Sequence, residues 1–154
     1  RCWQGDMAAV KGPYDLIWCA GALYFLGVKA GLTGWRKALR PEGIVAFSQP
    51  AWFTDSPSDA AIGFWDGFEG VMDIAGITAE VAAAGYTVLA SRKLPDAAWE
   101  AYYTPQDARV ALLRPTADAA LTAVLDQSDR EAALWRAHRA ETGYAQLIAQ
   151  KVAG

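Results

Sequence analysis

Two short, almost unbroken apolar runs mark the first third of the chain: Tyr14-Asp15-Leu16-Ile17-Trp18-Cys19 and Ile44-Val45-Ala46-Phe47-Ser48. Runs of this length and character predict strands covered on both faces, the pattern of a parallel sheet. Their expected bounds are Tyr14 to Cys19 and Gly43 to Gln49. Two later stretches, Tyr86 to Leu94 and Tyr144 to Val152, mix polar and apolar positions. That mixture predicts strands lying nearer an edge.

Helical segments separate these strands. A helix carrying Trp35-Arg36-Lys37-Ala38-Leu39 connects the first two, and Arg40-Pro41-Glu42-Gly43 then reads as a tight turn with proline second and glycine fourth. Thr78 precedes Ala79-Glu80-Val81-Ala82-Ala83-Ala84 as an N-cap, with Gly85 as a left-handed stop. Thr104 and Pro105 pair a capping threonine with proline at the first helical position. Thr116 to Asp126 reads as an alanine-rich helix. Ser128-Asp129-Arg130-Glu131 has capping-box spacing and opens another helix through about Glu141. Strands alternating with helices predict an α/β fold with a largely parallel sheet and helices on both faces. With no repeat, low-complexity tract or linker, residues 1–154 read as one domain.

Composition narrows the classes. Hydrophobic residues make up 53% of the 154 and charged residues 20%, which excludes disorder. Seven Trp, six Tyr and five Phe furnish a rich core, an aromatic-lined cavity, or both. Net charge is −3, and no Lys/Arg cluster is present to track phosphates, so nucleic acid is not an expected partner. No apolar run approaches ~18 residues, so no membrane-spanning helix is expected. Cys2 and Cys19 form neither a disulfide framework nor a metal-ligand pattern. A reduced, cytoplasmic protein without a metal is the expectation.

Open α/β sheets bind ligands beyond the carboxyl ends of their strands. The segments following the strands therefore hold the candidate site. Small residues at Ala20-Gly21-Ala22 let a ligand approach the backbone, and Trp52 and Phe53 offer flat apolar surface. Cys19 has no cationic sequence neighbour to lower its pKa, so it reads as a small buried residue rather than a nucleophile. His138, among Arg136, Arg139 and Glu141, reads as a solvated helix-face histidine. Asp55 and Glu69 read as solvated loop carboxylates. No catalytic residue is assigned.

The ordered set Gly5-Asp6-Met7, Tyr14 to Cys19, Leu39-Arg40-Pro41-Glu42-Gly43 and Gly143-Tyr144 to Val152 resembles class I S-adenosyl-L-methionine (SAM)-dependent methyltransferases of the small-molecule type. The resemblance spans about Gly5 to Val152. It implies a Rossmann-like methyltransferase sheet, mostly parallel, with an antiparallel last strand inserted beside its neighbour. It implies SAM as methyl donor, with Gly5, Asp6 and Met7 at the adenine and Cys19, Ala20 and Leu23 in the loop lining the cofactor. Tyr24, Trp52, Phe53, Trp99 and Tyr102 fall where such enzymes meet a small-molecule methyl acceptor. The transfer is an in-line displacement, for which positioning and desolvation supply much of the rate.

The chain has no glycine pattern of the G-x-G-x-G type that this family uses in its first loop. It begins at Arg1, and Arg1 to Met7 reads as the end of an element already under way. The expectation is the C-terminal portion of a methyltransferase domain, with the Tyr14 to Cys19 strand left as an apolar edge that promotes a homodimer or other association. The alternative reading is a non-catalytic, methyltransferase-like scaffold that binds a partner.

Overall fold

A computed structural model describes Cys2 and residues 4–152; Arg1 and Trp3, at the expected end of a preceding element, lie outside the described residues. The strands are β1 (Tyr14–Ala20), β2 (Leu39–Trp52), β3 (Met72–Asp73), β4 (Tyr86–Lys93) and β5 (Thr142–Lys151). The helices are α1 (Val28–Trp35), α2 (Asp59–Phe64), α3 (Ile74–Ala83), α4 (Asp96–Leu113) and α5 (Ala119–His138). The sheet order is β1-β2-β5-β4, with the short β3 also paired to β2. β1 and β3 run parallel to β2, whereas β5 runs antiparallel to both β2 and β4. The last strand is thus inserted antiparallel beside β2, as the resemblance implies.

Alternation along β2 and β5 sorts the side chains. Cys19, Val45, Phe47, Leu147 and Ala149 face a core completed by Leu32 and Trp35 of α1 and Ile77 and Val81 of α3. A second, aromatic cluster of Trp65, Trp99, Tyr103 and Trp135 sits with Trp52 and Tyr144 at the carboxyl end of β2. Trp18, Ala46, Ile148 and Ala90 are aligned by the strand register on the face away from α1 and α3. On that face Leu16 and Trp18 are 53% and 60% exposed.

The placement of β5 corrects one expectation. Its mixed pattern does not mark an edge, because β5 is hydrogen-bonded on both sides. Thr142, Gly143, Ala145, Leu147 and Ala149 are buried, and the polar positions Gln146 and Gln150 alternate onto the other face. β4 and β1 are the outer strands.

Several helix starts differ as well. α1 ends at Trp35, and Arg36–Ala38 is a single 3₁₀ turn before β2. The N-cap of α3 is Asp73, whose carboxylate accepts from the Gly76 amide at 2.6 Å. Thr78 instead donates its hydroxyl back to the Ile74 carbonyl at 2.7 Å. Gly85 is the left-handed stop, at φ +81°.

Pro105 lies inside α4 rather than at its start. It and Ala101, whose carbonyl it leaves without an amide, are on the exposed side, so the unpaired carbonyl is not buried. The buried face of Trp99, Tyr103 and Val110 carries the helix through. Ser128 likewise lies within α5, which is one helix capped by Asp118. No Gly or Pro interrupts 119–138, so the local capping signal has nothing to start.

Arg40 to Gly43 is a bulged segment of β2. Tyr14 pairs with Leu39 while Leu16 pairs with Ile44, so the extra β2 residues loop outward. The left-handed position is Glu42, at φ +60°, rather than Gly43.

Candidate functional site

β1 ends at Ala20, and the chain turns at the next residue because Gly21 adopts φ +62°, a conformation natural to glycine. The Gly21 amide donates to the Ser48 hydroxyl at 2.8 Å, which pins this turn to β2. Because β5 is antiparallel, its first residues return to the same end of the sheet, and Tyr144 stands beside Gly21. Ala20, Gly21, Ser48 and Tyr144 form one wall of a cavity of ≈ 860 Å³.

The facing wall comes from the three remaining helices. Phe64 and Trp65 follow from α2, Trp99 and Tyr102 from α4, and Arg130, Glu131 and Leu134 from α5. Trp99 stacks on Trp135 with centroids 5.0 Å apart, and Trp65 meets Tyr144 edge to face at 5.7 Å. The Trp65 indole donates to the buried Thr142 hydroxyl at 2.5 Å. The walls are therefore rigid aromatic surface with a few polar groups, the usual make-up of an organic-ligand site.

Burial, with a smaller effect from Tyr24, pushes the Tyr144 phenol up to about 12. At neutral pH it is a hydrogen-bond donor. Burial also raises Tyr103, aided by Glu131, which accepts its hydroxyl at 3.1 Å. Asp66 contributes a second carboxylate to the lining. Arg136 bridges Glu100 and Asp107 at 2.7 and 2.8 Å, holding α4 against α5, and its hydrogen bond is the main cause of the lowered Glu100 carboxyl.

Of the residues expected from sequence, Ala20, Trp99 and Tyr102 come together in this cavity. Cys19 and Leu23 lie behind it in the core, and burial raises the Cys19 thiol, partly offset by a backbone hydrogen bond at Ala22. Trp52 donates its indole N–H to the Val71 carbonyl at 2.9 Å. Phe53 packs on Gly143 and lies under the Lys93 ammonium, 4.2 Å from its ring centre. Tyr24 lines a smaller cavity that shares Phe68 with the larger one.

Gly5, Asp6 and Met7 lie elsewhere. Asp6 caps the 3₁₀ turn Met7–Ala9 by accepting from the Ala8 amide at 2.8 Å. The Met7 carbonyl accepts the Trp35 indole at 2.7 Å, at the opposite end of α1 from the Gly21 turn.

Trp65, Ser48 and Tyr144 were not singled out by sequence reasoning. The expected antiparallel last strand was a usable signal for Tyr144, since such a strand starts where its neighbours end. Trp65 had none beyond the density of aromatic residues.

His138 is not a freely solvated histidine. Its Nδ1 is 2.8 Å from Glu141 Oε1 and 3.3 Å from Ser58 Oγ, and the Ser58 amide donates to Glu141 Oε2 at 2.7 Å. Ser58 is the N-cap of α2, so the group staples that helix to the turn before β5. The hydrogen bond to His138 and those from Ser58 hold the Glu141 carboxyl down at about 2.

The sequence matches no protein-family model and no curated protein sequence. Its fold does match solved structures. A SAM-dependent methyltransferase from Geobacter sulfurreducens, in complex with S-adenosyl-L-homocysteine, aligns with a TM-score of 0.76 and 20% identity, over 93% of this chain and 60% of that one. One from Thiobacillus denitrificans, with the same ligand, gives 0.73 and 18%, over 96% and 62%. Phosphoethanolamine N-methyltransferase 2 of Haemonchus contortus, with SAM, gives 0.73 and 10%, over 96% and 36%. The chain thus has the Rossmann-like methyltransferase fold, and it spans about three fifths of the length of the first two structures.

Proposed function

We propose that this chain contributes to a SAM-dependent methyltransferase acting on a small-molecule acceptor, with the larger cavity as the chamber where methyl donor and acceptor meet. The observation that carries this reading is the Ala20-Gly21 turn opening directly onto an aromatic-walled cavity at the carboxyl end of β1. The residues fit the cofactor. Ala20 and Gly21 present backbone without bulk, and the exposed rings of Phe68 and Tyr102 in the lining suit a sulfonium through cation–π attraction. Ala20 and Gly21 would hold it, backed by Cys19 and Leu23.

When bound, SAM supplies an activated methyl group on sulfur. The chain's own contribution is positioning and exclusion of water. Tyr144, kept as the neutral phenol, donates a hydrogen bond to the acceptor. Asp66 accepts one from its O–H or N–H. Trp65, Trp99 and Leu134 keep the chamber apolar.

Calorimetric titration of S-adenosyl-L-homocysteine into the full-length gene product that carries this chain tests the reading, alongside a Gly21→Val variant checked for folding by circular dichroism. Saturable binding that the variant loses supports it. A folded chain that takes up no ligand argues for the second reading, a partner-binding scaffold. That reading is favoured by one observation, the exposed apolar face carrying Leu16, Trp18 and Ile148.

A further inference from the structure

Beside the chamber, a cavity of ≈ 420 Å³ is lined by Tyr24, Phe25, Gln49, Phe68, Glu69 and Val71, with Pro50 and Gly67 completing it. Three aromatic rings form much of its wall. Tyr24 lies 4.2 Å from Phe25 and 4.9 Å from Phe68, centroid to centroid. The loop that carries Phe68 and Glu69 is shaped by Gly67 and Gly70, both at positive φ, and anchored by the Trp52 to Val71 hydrogen bond.

Gln49 is the unusual member. It is only 6% exposed, and its Oε1 has no hydrogen-bond partner among the described residues. A buried carbonyl oxygen left unpaired is costly, and native structures normally supply it a donor. No Lys, Arg or His lines this cavity, and its one charged side chain is the carboxylate of Glu69. An orphan acceptor, a carboxylate and a cluster of three aromatic rings all select the same chemistry: a cation that carries N–H donors.

We propose that this cavity binds a small organic amine as its alkylammonium cation. The N–H donates to Gln49 Oε1, the alkyl groups lie against Tyr24, Phe25 and Phe68, and Glu69 balances the charge. The inference rests on these groups alone and is independent of the cofactor reading.

The test titrates the chain with dimethylammonium chloride by NMR at constant ionic strength near pH 7.5. Tetramethylammonium, which has the charge but no N–H, and 2-propanol, which has a donor but no charge, are the controls. Saturable binding of dimethylammonium is expected, at least roughly tenfold tighter than either control, the discrimination typical of a hydrogen bond to a charged group. Gln49→Leu removes the orphan oxygen and is expected to keep or raise the melting temperature while weakening amine binding by roughly tenfold or more. Glu69→Gln, at an exposed position, is expected to weaken it by a smaller factor that shrinks as salt is added. The proposal is overturned if the folded chain does not take up the amine, if tetramethylammonium binds as well, or if Gln49→Leu or Glu69→Gln leaves the affinity unchanged. S-adenosyl-L-homocysteine binding, measured separately, distinguishes failure here from failure of the methyltransferase reading.

Discussion

Thr142→Val is the sharpest probe of how the chamber is held together. Thr142 is fully buried at the start of β5. Its hydroxyl accepts the Trp65 indole N–H at 2.5 Å and donates to the Ala51 carbonyl at 3.0 Å. Valine keeps the branched shape and nearly the same volume, so the change isolates the hydroxyl. Losing the bond to Ala51 costs about 1 kcal/mol, and leaving a buried indole N–H unpaired costs about 1–3 kcal/mol more. The expected total is about 2–4 kcal/mol, which for a chain of this size lowers the melting temperature by roughly 4–16 °C. Urea unfolding followed by circular dichroism and scanning calorimetry measures it. Repeating the substitution in a Trp65→Phe background removes the stranded donor, so the cost there falls to about 1 kcal/mol. A penalty below about 0.5 kcal/mol, or the same penalty in both backgrounds, would refute the hydrogen-bonded coupling of Trp65 to β5.

Three further outcomes are expected. The Glu141 carboxyl titrates near 2 when folded, against ~4.3 unfolded, so its stabilisation is complete above the unfolded value and is lost as pH falls toward 2. Urea midpoints measured from pH 6 to 2 should therefore fall less steeply for Glu141→Gln than for the parent. Gly21→Ala meets the Tyr144 hydroxyl at an ordinary 3.5 Å, so its cost is the left-handed backbone, about 1–2 kcal/mol, read as a lower melting temperature. Trp18→Lys places a charge on the exposed face of the outer strand β1 and should reduce self-association measured by light scattering across concentration. An unchanged scattering mass removes β1 from the account.

The near-continuous apolar runs were enough to find β1 and β2, although β1 is an outer strand whose Leu16 and Trp18 are exposed rather than a strand covered on both faces. A pleated backbone turns successive side chains to opposite faces whatever surrounds it. Tyr14 to Cys19 and Gly43 to Gln49 lie within β1 and β2, and an antiparallel last strand is present. Helix boundaries were less legible because capping residues compete. Thr78, Thr104 and Ser128 all have the right chemistry, yet Asp73 and Asp118 are the caps, and the buried faces of α4 and α5 carry those helices through. Ala20, Trp99 and Tyr102 were reachable because they follow strands, and the carboxyl ends of strands are where such sheets open.

What the residue order could not specify is which distant groups meet. Trp65 finds Thr142 across 77 positions, and Ser58 finds His138 across 80. Gln49 alternates to the buried side of β2 as any inward strand residue would, and nothing local distinguishes it from a residue with a partner. Local periodicity follows from backbone geometry and survives in any window of the chain. Cavities, orphan acceptors and shifted titrations arise only when elements far apart in sequence exclude water together, and that was decided by the tertiary packing.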